Sequence, residues 1–151
     1  MKKWIWLGAL ALLLLPQRGT EVGELLPVET LLIEKEAGQY VVSVDTGESA
    51  RGSSLEAAVE AMRASAPGEM FLDTADYVLL TRDTLDCMPQ LSDFVRPAAR
   101  VYMVDKGPDL EEIGPFLRAQ GPDAPLFRLE KGERPAPKLS IEGENWHFEG
   151  Q

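Results

Sequence analysis

One cysteine and one histidine in 151 residues leave little material for disulfide or metal chemistry. A single thiol excludes an internal disulfide framework, and one Cys with one His argues against a structural zinc, which needs four such ligands. Cations are also scarce, with 15 Lys and Arg against 25 Asp and Glu for a net charge of −10. Neutralising phosphates takes clustered cations, so the balance argues against nucleic acid as a partner and against a polybasic hold on anionic lipid. No catalytic signature stands out. The residues therefore assign no catalytic, cofactor-binding or metal-binding group, and no cofactor is expected.

What is present is enough for a core. Hydrophobic residues make up 44% of the chain, which suits one ordinary domain. Lys2 and Lys3 precede an apolar run from Trp4 to Leu15, closed by Pro16. A short cationic stretch followed by an apolar one has the shape of a secretory signal, and the run is shorter than the ~20 residues that span a bilayer. The expectation is an exported chain, with residues 1–20 a signal peptide or a marginal N-terminal anchor. Without Lys2, Lys3 and Arg18 the remaining domain is still more acidic.

Periodicity organises the rest. Leu25–Ile33 reads as one strand, Ala37-Gly38 as a turn, and Gln39–Asp45 as its hairpin partner, with Tyr40, Val42 and Val44 on one face. Thr46–Gly52 reads as a polar loop. Ser53 and Glu56 form a capping-box pattern ahead of Leu55, Ala58, Val59 and Met62, which recur at helical spacing up to Pro67-Gly68. Tyr77–Leu80 and Arg100–Asp105 are apolar on both faces, as buried parallel strands are. Between them a second helix is expected to begin near Pro89, carrying Met88, Leu91, Phe94 and Val95, and to end at Pro97. Asp109 is a plausible cap for a third helix with Leu110, Ile113 and Leu117, which Gly114-Pro115 should break or kink and Gly121-Pro122 should end. Lys131–Pro137 reads as a linker, followed by a terminal hairpin or frayed tail over Lys138–Ile141 and Asn145–Phe148. The fold class is therefore α/β (α+β), a single domain with a mixed β-sheet and about three helices packed on it. Its bounds are residues 21–130, with 131–151 a linker and a C-terminal tail or hairpin.

Few residues are candidates for function. Cys87 near a helix start could be a nucleophile with His147, but a small buried hydrophobe is the stronger reading. Asp73, Asp76, Asp83 and Asp86 match no calcium-loop spacing and read as turn and cap residues. Arg96 and Arg100 bracket the junction of the second helix and the next strand, as structural ion-pair residues or as a partner contact. Trp146, with His147 and Phe148, is strand packing or a small docking patch.

The run Leu26-Pro-Val-Glu-Thr-Leu-Leu-Ile-Glu-Lys-Glu36, then Gly38-Gln-Tyr-Val-Val-Ser-Val44, then Gly52-Ser-Ser-Leu-Glu-Ala-Ala58, resembles the N-terminal domain of the Ger(x)C family. Tyr77-Val-Leu-Leu80, Leu91–Arg96 and Arg100–Val104 fall where that family has a buried strand, a helix ending in arginine and an arginine-led strand. These proteins are the lipoprotein C subunits of spore germinant receptors in endospore-forming Firmicutes. The likeness covers roughly residues 24 to 118, through short apolar motifs. The family's lipobox cysteine has no counterpart in Leu15-Pro16-Gln17-Arg18-Gly19, and the family's two further domains have none in these 151 residues, so the resemblance implies a shortened stand-alone relative. The resemblance implies a non-enzymatic protein of the cell envelope. It would act in spore germination by contact with germinant-receptor A and B type membrane subunits, at the extracytoplasmic face or the spore inner membrane. A small secreted binding domain with an unrelated ligand is the alternative.

Overall fold

The computed structural model describes residues 25–143 and 145–150; the signal peptide or anchor expected over residues 1–20 lies outside them. The described residues form nine strands: β1 (Leu25–Pro27), β2 (Thr30–Glu36), β3 (Gln39–Val44), β4 (Ser49–Gly52), β5 (Glu69–Phe71), β6 (Tyr77–Thr81), β7 (Arg100–Val104), β8 (Lys138–Glu142) and β9 (Asn145–Phe148). Three α-helices join them: α1 (Leu55–Ser65), α2 (Leu110–Gln120) and α3 (Leu126–Glu130). Seven strands make one mixed sheet in the order β4-β3-β2-β6-β7-β8-β9, and β1 and β5 pair separately. The four inner strands β2, β6, β7 and β8 run parallel, and an antiparallel hairpin partner extends the sheet on each side.

The strand pattern explains the layering. Alternate side chains of a strand point to opposite faces, so Leu31, Ile33, Val78, Leu80 and Val101 fill one face under α1 and α3. Leu32, Leu79, Tyr102 and Val104 fill the other, beneath Ile113 and Leu117 of α2. Strand β6 is buried along its whole length, as its unbroken apolar run predicts. The α+β class, the mixed sheet and the helices packed on it are thus as the sequence implies.

Several elements differ from expectation. The single strand expected over Leu25–Ile33 is two, because Pro27 has no N–H for a ladder and the next amides are taken by side chains. Val28 N–H donates to Thr74 Oγ1 (3.1 Å), and those of Glu29 and Thr30 donate to Asp45 Oδ1 (3.2 and 3.3 Å). The break turns β1 away to pair with β5. The Ala37-Gly38 turn holds, with both residues at positive φ (49° and 81°), the geometry that matches strand twist in a two-residue hairpin. The expected loop over Thr46–Gly52 contains β4, whose Ala50 faces the first core.

The cap of α1 is Ser54, not Ser53: its side chain accepts the Ala57 N–H at 3.1 Å. Leu55, Ala58, Val59 and Met62 form its buried face as expected. The helix expected from Pro89 is instead a 3₁₀ run from Arg82 to Asp93, so Cys87 lies in its middle. Runs of this kind favour three-residue spacing, and Thr84 and Cys87 are buried at that interval. Helix α2 starts at its Asp109 cap but passes through Pro115 unbroken. The carbonyl that loses a donor there is that of Glu111, on the exposed side, where solvent can satisfy it. The terminal segment is a true hairpin, and it completes the main sheet.

Candidate functional site

Arg96 and Arg100 lie at the amino-terminal ends of β6 and β7. The Arg96 guanidinium pairs with the Asp76 carboxylate, and Arg100 lies 5.9 Å from the Tyr77 ring centroid. Asp76 is itself tied into the sheet, its N–H donating to Glu29 O (2.9 Å) and its carbonyl accepting from Arg100 N–H (2.8 Å). The two arginines border a polar recess of about 160 Å³ with Ala98. Arg96 is thus tied to the junction through Asp76, whereas the Arg100 side chain forms no ion pair among the described residues. Exposed pairs of this kind contribute at most about 1 kcal/mol.

Trp146 lies at the opposite end of the parallel strands. It is half-buried on β9, directly across the ladder from Ile141, which is 45% exposed. Both side chains face the α2 side, as do Leu139 and Phe148, whose ring stacks on Phe116 at 5.8 Å. A cleft of about 590 Å³ opens beyond the carboxyl ends of β7 and β8. One wall is Lys106, Gly107, Pro108, Asp109 and Glu112; the other is Ile141, Gly143 and Trp146. Ligands of open α/β sheets bind beyond strand carboxyl ends, in space of this size.

The loop wall is fixed by close packing. Gly107 N–H donates to Glu34 Oε1 at 3.0 Å. A Cβ on Gly107 would lie 2.4 Å from Leu32 Cδ2, so a larger residue there makes the Leu32 side chain shift. Asp109 accepts the Glu111 N–H at 2.9 Å as the α2 cap. On the hairpin side, Lys138 Nζ contacts Glu149 Oε1 (2.7 Å) and Asp105 Oδ2 (2.9 Å). The Glu149 and Asp105 carboxylates raise the Lys138 pKa, and Lys138 lowers that of Glu149.

The remaining candidates are dispersed. Cys87 is fully buried in the first core, and burial pushes its thiol up to about 11. His147 sits on the outermost strand, β9, whereas the 3₁₀ run carrying Cys87 packs on β2 and β6; the two are not brought together. Asp86 accepts from Lys35 Nζ at 3.0 Å and from Tyr40 Oη at 3.2 Å, and Lys35 also donates to Asp83 O at 2.8 Å. That cluster pins the 3₁₀ run to the first hairpin. Asp73 is exposed in a short 3₁₀ turn. Among the described residues, no three His, Cys, Asp or Glu side chains are grouped to hold a metal. None of the described helices is long and apolar enough to cross a membrane.

Sequence reasoning singled out Trp146 but not its companions. Lys106-Gly107-Pro108 reads as a turn, and nothing local announces that it faces a hairpin more than thirty residues on. The available signal was positional: this turn follows a doubly apolar strand. Compared with protein-family models, curated proteins and solved structures, the chain matches none.

Proposed function

We propose that this chain is an exported, non-enzymatic domain of the cell envelope that works by protein–protein contact, in the manner of the germinant-receptor C subunit it resembles. One observation carries the contact reading. The cleft at the sheet's carboxyl end is lined by an exposed isoleucine and a half-buried tryptophan, with no thiol, hydroxyl or imidazole among its lining side chains. Aromatic anchors with an apolar neighbour and a polar rim are what protein-binding patches use. The signal-like start and the Ger(x)C-like motifs support the location and the process.

The test uses the organism that carries the gene. A C-terminally tagged chain is expected in the envelope or spore inner-membrane fraction, degraded by protease added outside the membrane. Spores lacking the gene are expected to germinate more slowly with at least one nutrient. Recovery in the cytosol would overturn the location. Export combined with wild-type germination on every nutrient would leave the alternative, a secreted binding domain with an unrelated ligand.

A further inference from the structure

Strand β9 closes one side of the sheet, and no described strand pairs with its outer edge. The ladder to β8 shows which backbone groups point outward. Glu149 N–H donates to Lys138 O at 2.9 Å, so Glu149 faces β8. In an antiparallel ladder alternate residues direct their backbone groups to opposite sides. Asn145 and His147 thus bond inward, and the N–H and C=O of Trp146 and Phe148 face outward.

The two faces flanking β9 differ in chemistry. On the α2 side lie Trp146 and Ile141, with Asp109 and Glu112 across the cleft. The other side carries Glu142, His147 and the Lys138–Glu149 pair. Asp109, Glu112 and Glu142 form no ion pair among the described residues, in a chain whose net charge is −10.

We infer that β9 receives an extended segment of a partner protein as an eighth strand of the sheet, and that the segment alternates apolar with cationic residues. Its apolar side chains lie on the Trp146 and Ile141 side of the sheet, and its cations lie on the opposite side, beside Glu142 and the Lys138–Glu149 pair. Main-chain hydrogen bonds to an open edge supply affinity in strand addition, and alternate side chains supply specificity. This inference rests on the protein-contact reading above and names its mode.

The probe is a fluorescein-labelled, capped octapeptide alternating valine and lysine, titrated against the full chain by fluorescence anisotropy. A valine–glutamate octapeptide is the counterpart. The lysine peptide is expected to bind at least tenfold more tightly, and Ile141→Asp, at an exposed position, to weaken it at least tenfold with an unchanged circular dichroism spectrum. N-methylation separates a strand from a merely charged ligand. Methylating one alternate set of amides is expected to abolish binding and methylating the other to leave it, because only one set faces β9. Equal effects of the two sets, a preference for the glutamate peptide, or no binding would overturn the inference. A dimer of the chain alone that sediments as a monomer after Ile141→Asp would overturn it in favour of a second copy. Germination and fractionation are read independently, so failure of strand addition leaves the location and process standing.

Discussion

Cys87 is packed with no exposure between the 3₁₀ run and the sheet, its thiol raised to about 11 by burial. The thiolate is the reactive form, so a thiol reagent at pH 8 is expected to leave the native protein unlabelled and to modify one thiol in urea. Rapid native labelling would show that the 3₁₀ run opens readily. Thr30 makes the converse case: its Oγ1 is buried without a hydrogen-bond partner among the described residues. An unpaired buried hydroxyl costs about 1–3 kcal/mol, so Thr30→Val is expected to raise the urea midpoint at unchanged slope. A lower midpoint would mean the hydroxyl has a role. Gly107→Ala works through side-chain crowding rather than polarity. Its Cβ would press on the Leu32 and Glu34 side chains, so those side chains or the loop must shift; a loss of about 1–3 kcal/mol and weaker cleft binding are expected from denaturation and peptide titration. Single-residue chemistry was partly legible in advance: Cys87 reads as a buried hydrophobe and is one. The cap of α1 was misassigned by one position because Ser53 and Ser54 are both suited to it, and only the backbone turn decides between them.

The elements divide by how locally they are specified. Strands β6 and β7, the first hairpin turn, the apolar face of α1 and the Asp109 cap are all readable from short windows, since each depends on spacing or on one turn residue. Strands β1, β4 and β5 are short or only half-buried and owe their pairing to distant partners: β5 exists because β1 lies beside it. The 3₁₀ run is similar, being pinned from outside by Lys35 on β2. That pin carries a pH signature. Its contact with Lys35 lowers the Asp86 pKa and raises that of Lys35. The stabilisation from Asp86 is therefore present above its ordinary 3.8 and lost as pH falls through the folded value; that from Lys35 is present below 10.5 and lost as pH rises through its own. The stability gap between the natural chain and Asp86→Asn is expected to be widest near neutrality and to close in acid. Asp45, whose pKa burial raises against the pull of its backbone donors, contributes in the opposite direction, but equally to both proteins. A gap that is constant with pH in urea titrations would rule the pin out.

At the scale of the molecule, burial is concentrated in the middle of the sheet. Every residue of β6 is buried, whereas the outer strands β4 and β9 are short and partly exposed. Amide exchange is expected to be slowest in β6 and β7 and fastest in β4, β9 and the β1–β5 pair; uniform protection would contradict this. The fold class was legible because it follows from the order and burial of strands. The cleft was not, because its walls come from the turn after β7 and the hairpin tip, which only the sheet's parallel order brings face to face. That same order separates two things along one axis. The described chain enters at Leu25, beside the starting ends of β2 and β6, while the cleft opens past the finishing ends of β7 and β8. A hold on the chain at Leu25 itself would thus act at the pole opposite the cleft. Under the role proposed above, the domain would then serve as a spacer between such a hold and a partner met at the cleft.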